Sequence, residues 1–93
     1  MLAISFDMKV ADLERYYGKS YTSAYYKIRR SLESDNFYWL QGSTYAIQSD
    51  DLMSLFNAMR HLNEFDWFRK SVRDIRGFRM ENWSDFTPYF KGE

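Results

Sequence analysis

Residues 2–8 read Leu-Ala-Ile-Ser-Phe-Asp-Met. Large apolar side chains stand at Leu2, Ile4, Phe6 and Met8, with Ala3, Ser5 and Asp7 between them. Successive side chains of a strand point to opposite faces, so this alternation predicts a β-strand with one strongly apolar face and one face of small residues. The large set predicts packing under helices. The small set predicts a face that another surface approaches closely, and the expected surface is the same face of a second copy. Asp7 ends that face, and two readings of it stand. An Asp just after a strand can cap the helix that follows. Alternatively, two such carboxylates near a two-fold axis can hold a divalent cation or poise a general base.

Outward from this strand, residues 10–17 predict a short helix stopped by Gly18. Ser20 is the expected N-cap of a second helix, on which Ala24, Tyr25, Ile28 and Leu32 recur at helical spacing until Asp35 and Asn36. Residues 37–41 and 43–48 predict a hairpin turning at Gly42. Ser49, Asp50 and Asp51 supply a cap and negative charge at the start of the next helix, whose apolar stripe is Leu52, Leu55, Phe56, Met59 and Leu62. Phe65, Trp67 and Phe68 form an aromatic knot with room for one helical turn. Residues 72–80 predict the last strand. Its apolar residues Val72, Ile75, Phe78 and Met80 fall out of phase, which predicts a bulge near Gly77. The order is strand, helix, strand, strand, helix, strand. That is an α+β, modified ferredoxin-like (βαββαβ) antiparallel sheet with helices on one face, expected to dimerise through the other.

The chain of 93 residues is expected to be one domain, with a tail from about residue 84, carrying Pro88 and Gly92, that frays or joins a dimer interface. Aromatic residues make up 20% of it, more than one small core easily absorbs, which favours an oligomer. There is no cysteine, which excludes a disulfide scaffold, a thiolate metal site and a cysteine nucleophile and fits a cytoplasmic protein. No apolar run reaches membrane-spanning length and no signal-peptide pattern opens the chain. Basic and acidic residues balance at 13 each, so only a local patch can argue for nucleic acid.

Such a patch lies in "WFRKSVRDIRGFR", residues 67–79, where Arg69, Lys70, Arg73, Arg76 and Arg79 face a single acid, Asp74. Arginine suits bidentate contact with phosphate, and Trp67, Phe68 and Phe78 offer stacking surfaces for bases. A solvated, salt-bridged edge is the competing reading. "QGSTY", residues 41–45, offers Ser43, Thr44 and Tyr45 after a tight turn, either as hydroxyl donors to a phosphate or as ordinary strand residues. His61 is the only histidine and is expected towards solvent, so neither a zinc site nor a catalytic triad is indicated. No Gly-rich phosphate loop is present.

The segments "AISFD", "QGSTY" and "WFRKSVRDIRGFR", followed by "SDFT", resemble the virulence-associated protein D (VapD) family over nearly the whole chain. That family is similar in fold to the small CRISPR-adaptation nucleases. The resemblance implies a homodimer joined through its sheets and an endoribonuclease, in some members the toxin of a toxin–antitoxin pair with a small antitoxin protein as partner. It implies catalytic roles for Asp7 and Ser43, and RNA-binding roles for Tyr45, Arg73 and Arg76, to which the basic patch adds Arg69 and Lys70. No metal ligand set is expected beyond Asp7, with Mg2+ the ion to consider if a divalent cation is used. The competing expectation is a dimeric RNA- or protein-binding module without catalysis.

Overall fold

A computed structural model of the chain describes residues 1–92. In chain order it has β1 (Leu2–Met8), α1 (Val10–Tyr16), α2 (Thr22–Ser34), β2 (Tyr38–Gln41), β3 (Thr44–Ile47), α3 (Leu52–Leu62), α4 (Asp66–Ser71), β4 (Val72–Arg79) and α5 (Thr87–Lys91). The strands form one sheet in the order β2-β3-β1-β4, and every neighbouring pair is antiparallel. This is the ferredoxin-like arrangement, with α2 and α3 as the two crossovers. α1 and α4 are additions that pack on each other, and α5 follows the last strand.

The alternation in β1 is realised as expected. Leu2, Ile4, Phe6 and Met8 are buried in one cluster with Ala24, Ile28 and Leu32 of α2, Ala58 and Leu62 of α3, Leu13 of α1 and Phe68 of α4. β1 is a central strand, so its apolar face lies at the middle of the core. Gly77 lies opposite Ile4, and a Cβ there would sit 3.2 Å from Leu55 Cδ1. Its missing side chain is what lets α3 settle on β4.

The opposite face departs from the expectation of a bare surface. One cross-strand row runs Tyr38, Ala46, Ala3, Phe78 from edge to edge. The two alanines, between Tyr38 and Phe78 in this row, are 0% exposed. The tail reaches this face, where the Trp83 indole N–H donates to the Tyr38 hydroxyl at 3.4 Å. Residues 83–87, Phe90 and Lys91 line, with Leu40, Gln41 and Thr44, an open cleft of ≈ 690 Å³.

Three local expectations change, those for the β4 bulge, the α2 N-cap and His61, while the cap expected before α3 is found. The irregularity in β4 is not at Gly77. Asp7 pairs with Asp74 and Met8 with Val72, which leaves Arg73 as the extra, unpaired residue. That bulge puts Val72 and Ile75 on the same face although they are three apart, and the strand then keeps phase through Gly77. The N-cap of α2 is Tyr21 rather than Ser20, and its side chain makes no capping bond. Of the acidic pair before α3, Asp51 does the capping and accepts from Met53 N–H at 3.0 Å, whereas Asp50 pairs with the N-terminal ammonium at 2.8 Å. His61 does not simply face solvent. Its Nδ1 lies 2.8 Å from Asp35 Oδ2, tying α3 to the end of α2.

Candidate active site

Asp7 stands at the end of β1 on the open face, 63% exposed at its side chain. It does not cap the next helix. The N-cap position of α1 is Lys9, and no side chain bonds there. The backbone stays extended at Lys9, whose N–H donates to the Ser71 carbonyl at 2.8 Å and joins the end of β1 to the end of α4. Removing the capping role leaves an exposed carboxylate for which the fold supplies other neighbours.

The bulge supplies the first of these. Arg73 Nη1 lies 3.7 Å from Asp7 Oδ2. A regular strand would alternate its side chains through this point; the extra residue redirects one of them. Asp74 is the cross-strand partner of Asp7, and its carboxylate accepts from Arg76 Nε at 3.0 Å. Two carboxylates placed directly opposite would repel, and the two arginines interleave with them. The result is a polar strip of alternating charge on the open face, continued by Ser5 Oγ and Thr44 Oγ1 at 3.3 Å.

The hairpin approaches from the other side. Gly42 takes φ 49°, a conformation glycine adopts without strain, and its carbonyl accepts from the Trp39 indole at 2.9 Å. This tight turn brings Ser43 beside β1, where its carbonyl accepts the Phe6 N–H at 3.1 Å. Ser43 is therefore held next to the residue preceding Asp7.

The structure does not gather every candidate here. Tyr45 is 4% exposed on the helix-covered face, with its ring stacked on Phe6 at a centroid distance of 6.2 Å. Burial pushes the Tyr45 phenol above its ordinary pKa, against the lowering influence of Arg29. It supports β1 from beneath and offers no surface beside Asp7. Arg69 and Lys70 lie on α4 and both pair with Asp66, at 2.8 and 3.0 Å. Lys70 also sits over the Tyr16 ring, 5.3 Å from its centroid, linking α4 to α1. These two cations form a second group near the strand end.

Two neighbours of Asp7 escaped the sequence reading. Asp74 was visible only as one acid among arginines, because its position opposite Asp7 depends on the register. Tyr25 reads as part of an apolar helical stripe. Its phenol is pushed above its ordinary pKa, first by burial and then by the neighbouring Tyr21 phenol and the Asp7 carboxylate. Tyr25, near the start of α2, therefore lies within electrostatic reach of Asp7. Among the described residues no group of three or more His, Asp or Glu side chains could hold a metal ion. Nor is any helix long and apolar enough to cross a membrane.

No family model matches the chain. Comparison with curated proteins gives close relatives across its length. The chain is 45% identical over 92 residues to Endoribonuclease VapD of Dichelobacter nodosus, covering 99% of each protein. It is 49% identical over 84 residues to Endoribonuclease VapD 1 of Riemerella anatipestifer, covering 90% of this chain and 94% of the relative. With Endoribonuclease VapD of Helicobacter pylori it shares 43% over 93 residues, 98% and 99% of the two chains. Identity at this level over full length, on a ferredoxin-like sheet with the polar strip just described, places the chain in the VapD family.

Proposed function

We propose that this protein is an endoribonuclease that cleaves single-stranded RNA at the end of β1, with Asp7 as the catalytic residue. The observation that carries the reading is the exposed, non-capping Asp7 with Arg73 bulged towards it. The relatives' names supply the reaction class.

RNA carries its own nucleophile. Asp7 accepts the proton of a 2′-hydroxyl, the 2′-oxygen bonds to phosphorus, and the bond from phosphorus to the 5′-oxygen breaks. The 5′-oxygen takes a proton from water, leaving a 2′,3′-cyclic phosphate and a 5′-hydroxyl. Negative charge grows on the phosphate oxygens in this step, and Arg73 and Arg76 stand where they can offset it. The Ser43 hydroxyl orients the phosphate, and Arg69 and Lys70 hold the flanking backbone. Tyr45 serves by fixing Phe6. The proposed reaction is metal-independent, because Asp7 and Asp74 are each already opposed by an arginine.

Two extensions belong to the same proposal. A homodimer through the open face would bury apolar surface now exposed there, including Phe78 and Trp83, and the tail's Phe86 and Phe90. The resemblance to the family also supports a role as the toxin of a toxin–antitoxin pair. Co-purification with the product of an adjacent reading frame tests that role, and sedimentation tests the dimer.

The reaction is tested with end-labelled single-stranded RNA and the matching DNA, each with and without EDTA. The proposal expects RNA cleavage only, 2′,3′-cyclic phosphate ends and no effect of chelator. Loss of activity in EDTA would move Asp7 to the role of a Mg2+ ligand. No cleavage of any RNA would favour the binding module.

A further inference from the structure

We propose that the outer surface of α1 and α2 binds the single-stranded RNA flanking the cleaved bond, with bases on tyrosine rings and phosphates on Arg15, Lys27 and Arg30. The inference rests on the proposed RNA cleavage for its ligand, and its test is read from binding alone.

The cations of α4 and β4 are all opposed by carboxylates. Arg69 and Lys70 pair with Asp66, Arg73 with Asp7, Arg76 with Asp74 and Arg79 with Asp50. Such pairs leave little net charge for the phosphates of a longer strand, and phosphate contacts dominate affinity. On α1 and α2 the arrangement differs. Arg29 pairs with Glu33, but Arg15, Lys27 and Arg30 make no ion pair among the described residues. The acids of α1, Asp12 and Glu14, pair with none of them. Each free cation lies over a tyrosine ring instead: Arg15 over Tyr16 at 5.2 Å, Lys27 over Tyr17 at 5.2 Å and Arg30 over Tyr26 at 5.8 Å. A neutral ring holds the cation in place without cancelling its charge.

Contacts join these pairs into one surface that begins near Asp7. α1 starts at Val10, two residues beyond the end of β1. Lys70 of α4 also lies over Tyr16, at 5.3 Å. Lys27, over Tyr17, then lines a polar groove of ≈ 540 Å³ together with Tyr26, Arg30, Ser31 and Ser34. Glu64 is the one carboxylate in that lining, and His61 there faces Asp35. Tyr26 is 59% exposed, and Arg30 donates to its hydroxyl at 3.0 Å, which steadies an otherwise open ring. Single-stranded RNA matches both features, because its phosphates meet the cations and its bases stack on the rings whatever their sequence. An acidic protein segment would meet the cations and leave the exposed rings unmatched.

The test measures anisotropy of a labelled single-stranded RNA of about twelve nucleotides on the full chain carrying Asp7→Asn, so that binding is read whether or not the parent cleaves. Tyr26→Ala and Arg30→Gln, each added to that background, should weaken binding by about tenfold. Tyr26→Phe keeps the ring and should bind as the background does. Arg30→Gln should also flatten the slope of log affinity against log salt by about 0.7, an effect that a merely structural role would not produce. Arg60 is an exposed cation outside this surface, with Asn57 as its side-chain partner, and Arg60→Gln should weaken binding by about twofold or less. All these side chains are exposed, so every variant should melt near the background. Absence of RNA binding, or a loss in Arg60→Gln as large as in Arg30→Gln, overturns the proposal. Undiminished binding by Tyr26→Ala and Arg30→Gln overturns it too and would leave the surface to an acidic protein. A parent that cleaves no RNA, with both losses of binding present, would remove the cleavage reading and uphold this one.

Discussion

The two faces of β1 are built from alternate residues of one seven-residue strand, yet they do opposite work. On one face Leu2, Ile4, Phe6 and Met8 are almost fully buried under helices. On the other, Ser5 meets Thr44 and Asp7 meets Arg73 in the open. The buried face holds the strand by apolar burial, which is insensitive to charge. The open face takes its geometry from the buried one and is free to carry groups that contribute little to stability. Chemistry at Asp7 should therefore be separable from folding, residue by residue, along the same strand.

The sharpest contrast is between neighbours. Ile4→Ala should cost ~2–5 kcal/mol, because it opens a cavity at the centre of the core. Ser5→Ala, one residue on, should cost about 1 kcal/mol or less, the loss of a single partly exposed hydrogen bond. Denaturant titration of both variants would check this, and equal losses would break the contrast between the faces. The next effect is on activity alone. Arg73→Gln should lower RNA cleavage by about 10²-fold, as removal of one charge-stabilising donor does elsewhere. Its melting temperature should stay near that of the parent, because an exposed ion pair contributes little to stability.

The sheet, its element order and the buried face of β1 are legible in the sequence, because alternation and helical stripes are local patterns. The position of the bulge is also written there, in the three-residue spacing of Val72 and Ile75, although a glycine in a strand so often marks a bulge that Gly77 is the stronger local signal. Close packing of Leu55 is the role Gly77 has. The burial of Tyr45 is not legible, since Ser43, Thr44 and Tyr45 look alike until the register with β1 fixes their faces. The pairing of His61 with Asp35, the bond from Trp83 to Tyr38 and the position of Asp74 opposite Asp7 all join segments far apart in the chain. No local pattern reports them. Asp7 was visible as a candidate, and only the geometry at Lys9 removed its capping alternative.

Gly77→Ala sharpens the account of the buried face with a smaller effect. The added Cβ would meet Leu55 at 3.2 Å, a contact with the far end of a side chain rather than with backbone. The expected cost is ~1 kcal/mol, at the low end for overpacking. A loss of several kcal/mol would mean that α3 cannot shift on β4. The smallest effect concerns charge at the other end of β1. The N-terminal ammonium, bonded to Asp50, holds that carboxyl below its ordinary pKa, with Arg79 adding to the shift. A lowered carboxylate stabilises the fold fully above its unfolded pKa and loses that contribution as the pH falls through the folded value. Asp50→Asn should therefore melt slightly below the parent at neutral pH, and the difference should vanish in acid. A difference that grew in acid would contradict the pairing.

The most direct test of separability is Asp7→Asn, measured for both properties on one preparation. The substitution removes the charge with little change of shape. The account predicts a fall in RNA cleavage of about 10²–10⁴-fold, with melting temperature, RNA binding and oligomeric state unchanged. Undiminished cleavage, or a loss of activity that follows a loss of folded protein, would contradict it.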